Sequence, residues 1–204
     1  MESSRSLTMP ARPRRGGRTA DVTRRIHDAT LGLLAEAGHG ACTFQNVAVR
    51  AGVERSTLYR RYPSRWAMLV EAWSGRYAAA LDVAPGASFA ADLRAHLHKV
   101  AQALNSPIGM AMVAAGAVAR LDPDAEVTAG DFWKFRLAQQ EPLVAAAIAR
   151  GELPADVDRE TLFASADGPL YFRLLIVGRP IDEALVERVA GAVETQFRIS
   201  ETPS

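Results

Sequence analysis

The stretch Thr43-Phe44-Gln45-Asn46-Val47-Ala48-Val49-Arg50-Ala51-Gly52-Val53-Glu54-Arg55-Ser56-Thr57-Leu58-Tyr59-Arg60-Arg61-Tyr62-Pro63-Ser64-Arg65 decides the fold. Thr43 can cap a short helix in which Phe44, Val47 and Ala48 share an apolar face, and Ala51-Gly52-Val53 follows as a tight connection. A second short helix is predicted over 54–62, where Pro63 stops it, and Ser64 then caps a longer one. In that longer helix Trp66, Leu69, Val70, Trp73 and Tyr77 recur toward a core. Two short helices about a glycine turn, braced by a helix on each side, make a helix-turn-helix candidate.

The second short helix has a polar outer face. With Leu58 pointing inward and each residue turned by about 100°, Ser56 and Arg60 lie roughly opposite it, with Thr57 and Tyr59 on the flanks. Arg55, in the first turn, is long enough to reach a base edge or a phosphate, and arginine is the usual bidentate partner of guanine. Thr43 and Ser64 stand at helix N-termini, where N–H groups and hydroxyls can hold phosphate oxygens. Taken alone, Arg55, Arg60, Arg61 and Arg65 read as a solvated face. Within a capped helix-turn-helix they read as a surface for DNA.

Charge distribution supports that reading. The first 65 residues hold 12 arginines and five acidic residues, a net +7; the rest hold 12 basic and 18 acidic residues, a net −6, within an overall +1. A basic front on an acidic body suits a polyanion at one end only.

Outward from this centre, residues 1–18 carry Arg5, Arg12, Arg14 and Arg15 among Pro and Gly, and read as a flexible basic arm. The first helix follows through Val22, Ile26, Ala29, Leu33, Leu34 and Ala37, with Thr19 or Asp21 as its cap and Gly38 and Gly40 as its stop. Residues 19–81 thus form a helix-turn-helix domain with its connecting helix, and Pro85 and Gly86 mark a break over 82–86. Beyond it, helical periods predict helices over 88–105, 107–121, 128–150, 158–177 and 181–197, with no strand alternation. The fold class is therefore all-α.

Composition excludes several classes. With 49% hydrophobic and 23% charged residues the chain can bury a sizeable core, so it is not mainly disordered. The lone Cys42 allows neither an internal disulfide nor a Cys-rich zinc site, and reads as a buried, inert thiol. No secretion signal is readable at the N-terminus, and the apolar run over 108–119 is too short to span a bilayer, so a cytoplasmic protein with no membrane partner is expected. His96 and His98, two apart on a helix, point to different faces, and no catalytic or phosphate-loop motif is present. No enzyme activity, cofactor or metal is expected.

The quoted stretch, with Ala51-Gly52-Val53, Thr57-Leu58-Tyr59 and Tyr62-Pro63-Ser64-Arg65 at fixed offsets, resembles the DNA-binding region of TetR-family transcriptional regulators. Together with the first helix, the resemblance covers roughly residues 19–70. It implies DNA contacts from Thr43, Gln45, Arg55, Ser56, Thr57, Tyr59 and Arg60, with Arg65 standing where members usually carry a phosphate-binding lysine. Two positions depart from the pattern. Glu54 replaces a small capping residue, and Trp66 replaces an acidic one, which points to altered packing onto the first helix.

The segments Glu141-Pro142, 150–154 and Gly168-Pro169-Leu170-Tyr171 are similar to the regulatory domain of one subgroup of that family. The resemblance implies a helical ligand-binding and dimerisation domain whose last two helices pair across a two-fold axis. The apolar stripes Leu162, Ala166, Leu170, Leu174 and Leu185, Val189, Val193, Phe197 exceed what a lone helix pair would bury, and Pro169 predicts a kink. Met110, Met112, Phe132, Trp133, Phe135, Arg136, Gln139, Tyr171 and Phe172 would make an apolar chamber with polar handles for an unnamed small-molecule effector. The expectation is a homodimeric repressor released by its effector from a pseudo-palindromic double-stranded DNA operator. The alternatives are an activator, a ligand-independent regulator, or a small-molecule-binding bundle without DNA function.

Overall fold

The computed structural model describes residues 15–119, 121–122 and 125–198, and among these every regular element is helical. Helix α1 (Arg15–Ala37) opens earlier than the expected start near Thr19, so residues 15–18 of the expected arm belong to it; residues 1–14 lie outside the described residues. Gly38, at φ 75°, ends it as a residue without a Cβ can, and a single 3-10 turn (His39–Ala41) leads into α2 (Phe44–Ala51). Helices α3 (Arg55–Arg61) and α4 (Arg65–Leu81) complete the first unit. Its core joins Ile26 and Ala29 of α1, Val47, Ala48 and Ala51 of α2, Leu58 of α3, and Met68 of α4.

The rest of the chain contains α5 (Phe89–Leu104), α6 (Pro107–Ala119), α7 (Glu126–Ala149), α8 (Arg159–Tyr171) and α9 (Glu183–Phe197). Caps set these boundaries as they do in the first unit. The side chains of Thr43, Ser64, Ser88, Asp158 and Asp182 accept bonds from backbone N–H groups of the first turns they precede. The α5–α6 corner is tight because Ser106 Oγ accepts from Gly109 N at 3.0 Å, which brings Gly109 onto the Ala103 carbonyl. Asn105 pairs with both backbone groups of Ile181, at 2.9 Å each, and so ties the approach to α9 onto the end of α5.

The apolar stripes of α8 and α9 lie largely within the single chain. Leu162, Ala166, Leu170, Leu174, Val189 and Val193 are buried inside this chain, and Leu185 and Phe197 pack half-buried against the same core. The physical reason is α5. Its Phe89, Leu93, Leu97, Val100 and Leu104 supply the surface that the two stripes need, so three helices of one chain share it. What remains exposed is the end of α8. Pro169 lacks an N–H, and the helix continues past Tyr171 as a π-helical turn (Phe172–Ile176), closed by Val177 N donating to Phe172 O at 3.1 Å. Phe172, Ile176 and Val177 are left facing outward, 59%, 71% and 43% exposed.

Candidate nucleic-acid interface and ligand cavity

The helix-turn-helix is rigid because every element of it is tied. Thr43 Oγ1 accepts from Asn46 N at 3.1 Å, and Gly52, at φ 62°, closes α2 with a left-handed residue. Leu58 faces inward with no exposure, as the turn geometry requires. Arg25 donates to the carbonyls of Ala51 and Gly52, Arg50 grips Glu36 through two bonds of 2.5 and 2.6 Å, and Arg61 reaches Thr23 Oγ1 at 2.7 Å. These three arginines brace α2 and α3 against α1. Arg61 is therefore a strut, where the sequence offers it only as part of a charged run.

The outer face carries the rest. Gln45, Arg55, Ser56, Tyr59 and Arg60 are exposed on one side, with Thr43 and Thr57 half-buried beside them. Tyr59 is fixed from two directions: Phe44 meets its ring edge-on at 4.9 Å, and Arg55 donates to its hydroxyl at 2.5 Å while lying over the ring. A pre-ordered arginine loses less side-chain freedom on meeting a base or phosphate. Glu54 stands at the N-cap of α3 with no side-chain bond to the helix, so that cap is weaker than Thr43 or Ser64.

Arg65 is placed differently from the other candidates. It donates to Asp122 Oδ2 at 2.9 Å, and Trp66 Nε1 donates to the same oxygen at 2.8 Å. Asp122 lies between α6 and α7, so one carboxylate ties the first turn of α4 to the second half of the chain. Trp66 is buried, stacks on His39 and packs with Leu31, Leu34 and Cys42, which is the packing onto the first helix that its departure from the pattern implies. Burial pushes the Cys42 thiol up to about 11, against a weaker opposing pull from Arg65. It is a neutral core group at physiological pH.

Behind α4 lies a cavity of about 330 Å³, walled by Trp66, Val70 and Trp73 of α4, Val100 and Leu104 of α5, and Met112 of α6. Of the chamber candidates, Met112, Arg136 and Tyr171 line it. Met110, two residues before Met112 on α6, turns to the opposite face and is 41% exposed, and Phe172 points outward past Tyr171. Gln139 stands behind Arg136, accepting from it at 3.5 Å. The side chains of Phe132, Trp133 and Phe135 lie outside the described residues. Burial raises the Tyr171 phenol above its ordinary range, with Asp167 adding to the rise and Arg136 opposing it, so the hydroxyl stays protonated.

Sequence reasoning missed Asp122 and the buried set His96, Gln140 and Asp167, in which His96 Nε2 lies 3.0 Å from Asp167 Oδ1. Asp122 gives no local signal. His96 does carry one, since a polar residue in register with Leu93, Leu97 and Val100 falls on a buried face.

Known proteins share both halves of this arrangement. The family model described as bacterial regulatory proteins, tetR family, matches residues 26–72, and that described as Tetracyclin repressor-like, C-terminal domain, matches residues 83–193. The HTH-type transcriptional regulator AqdR of Rhodococcus erythropolis is 26% identical over 176 residues, 86% of this chain and 85% of the relative. An uncharacterized HTH-type transcriptional regulator of Bacillus subtilis, YdeS, is 28% identical over 162 residues, covering 79% and 82%. Among solved structures, the TetR family transcription regulator SCO0332 matches with a TM-score of 0.73 at 26% identity, over 87% of this chain and 96% of that one.

Proposed function

Because this chain belongs to the TetR family of bacterial regulatory proteins and is a DNA-binding transcriptional regulator, we propose that it is a homodimeric repressor released from its operator by a small molecule. Thr43, Gln45, Arg55, Ser56, Thr57, Tyr59 and Arg60 meet the major groove and its flanking phosphates, and Arg65 meets phosphate when it leaves Asp122. The observation that carries this reading is the path of α4. Its first turn touches the helix-turn-helix and Asp122, while Trp66, Val70 and Trp73 wall the cavity.

The mechanism is linkage through that helix. Two recognition helices held about 34–36 Å apart fit successive major grooves of a pseudo-palindromic duplex. A ligand that fills the cavity and favours another position of α4 also favours another spacing, and must weaken DNA binding by the same free energy. Among the described residues no helix is long and apolar enough to cross a membrane, in keeping with a cytoplasmic site of action.

The test is a fluorescence-anisotropy titration against DNA from just upstream of the coding region, at several salt concentrations and with random duplex as competitor. Nanomolar, competitor-resistant binding with a steep salt slope is expected. Binding no tighter than to random duplex, both there and in a genome-wide selection, would reject the regulator. A reporter in a deletion strain reads the sign, with derepression expected.

A further inference from the structure

Arg136, which lines the cavity, belongs to a set of four polar side chains buried together, and its ion pair with Asp167 is a long one. Arg136, Gln140, Asp167 and His96 are at most 5% exposed. Asp167 Oδ1 lies 3.0 Å from His96 Nε2, and Asp167 Oδ2 accepts from Gln140 at 3.5 Å. Arg136 comes after them, 3.9 Å from Asp167 Oδ2, with a 3.5 Å bond to Gln139. A guanidinium has five N–H donors, and both of these contacts lie at or beyond the outer limit of a hydrogen bond. Arg136 is one of the few polar residues that line the cavity, among walls that are otherwise almost wholly apolar.

We propose that the cavity takes an apolar monocarboxylate, a medium-chain or aromatic acid, with its carboxylate received by Arg136 beside the Tyr171 hydroxyl and its body against Trp66, Val70, Trp73 and Met112. A carboxylate matches the planar fork of arginine with two charge-assisted bonds, where an alcohol or ketone oxygen takes weaker ones. The Asp167 carboxylate beside Arg136 offsets part of its charge and repels an added anion more strongly the higher that anion's charge, which disfavours phosphate esters and diacids against a monocarboxylate. A volume of about 330 Å³ stands near the lower end of small-molecule sites, so the ligand is compact.

This inference rests on reading the cavity as the effector site, and its test therefore measures ligand binding without DNA. Decanoate and 1-decanol are titrated in parallel into the full chain at sub-millimolar concentrations, followed by calorimetry and by the emission of Trp66 and Trp73 in the cavity wall. Decanoate is expected to bind at least tenfold tighter than the alcohol. Arg136→Gln should abolish that preference and leave alcohol binding within a few-fold, Arg136→Lys should restore part of it, and Tyr171→Phe should weaken the acid several-fold. If Arg136→Gln does not fold, the acid-against-alcohol comparison in the unmodified chain still decides. Equal affinities, or no saturable binding of either compound, would overturn the proposal. A chain that binds decanoate selectively but no DNA in the anisotropy titration would reject the repressor and leave this assignment standing.

Discussion

Arg55 and Arg65 carry the same charge ten residues apart, yet their surroundings assign them different work. Arg55 is pinned by Tyr59 on the outer face of α3, where a bidentate contact to a base is worth about 1–3 kcal/mol. Arg55→Ala is expected to weaken operator binding by that amount and to relax preference at one base pair. Arg65→Ala should weaken all sequences alike and lower the salt slope by about one. Anisotropy over a panel of operator variants and salts separates the two, and equal sequence-blind losses would reject the division. Cys42 gives a pH-dependent expectation. Its folded-state value is raised from 9.0 to about 11 by burial, so its contribution to stability is complete below pH 9 and is lost as pH rises through 11. Cys42→Ser should flatten that part of the stability curve, and iodoacetamide should label the native thiol only on unfolding. At this scale the caps Thr43 and Ser64 and the inward Leu58 are legible, because they depend on neighbours within one turn, whereas the cap expected at Thr19 or Asp21 lies inside α1. Asp122 is not legible, since its partner Arg65 is 57 residues away.

Elements were legible wherever a cap or a breaker ends them, as Thr43, Ser64 and Ser88 do, and illegible in which faces meet. The stripe on α9 looked available to a second chain only because the sequence does not say that α5 lies against it. Two glycines of α6 test the packing that results. A Cβ on Gly109 would stand 2.0 Å from the Ala103 carbonyl oxygen, whereas one on Gly116 would meet nothing within 4 Å. Gly109→Ala is expected to force α6 off α5 and destabilise the protein by about 1–3 kcal/mol or more. Gly116→Ala should be neutral or stabilising by up to about 1 kcal/mol through helix propensity. Denaturant melts of the pair check both signs, and similar losses at the two sites would contradict the corner geometry. The α4–Asp122 tie gives the corresponding functional expectation. Asp122→Ala releases Arg65 toward phosphate, so non-specific DNA affinity should rise with a steeper salt slope, while the effector-induced loss of operator binding should shrink. An unchanged effector response would mean that the carboxylate is not a coupling element.

For the whole molecule the question is what covers the end of α8. Monomeric proteins rarely leave a contiguous apolar patch uncovered, and Phe172, Ile176 and Val177 form one beside a shallow groove lined by Pro169 and Leu185. The groove borders α9, so a second copy related by a two-fold axis would meet the same patch with the same patch, as an isologous interface requires. If the proposed homodimer forms there, the buried stripes of α8 and α9 act indirectly, by holding this surface in place. Ile176 is 71% exposed in the single chain, so Ile176→Glu removes little intrachain packing, and the variant should melt within a few degrees of the unmodified protein. In a dimer the same change buries a carboxylate against its symmetry mate and against apolar surface, which costs several kcal/mol. Sedimentation should therefore find a monomer. That monomer retains its helix-turn-helix but can engage only one half-site at a time, so operator affinity should fall by orders of magnitude and the salt slope by about half. A variant that remains dimeric with full operator affinity would place the interface elsewhere, and one that unfolds would mean the π-helical turn is held by contacts its exposure does not reveal.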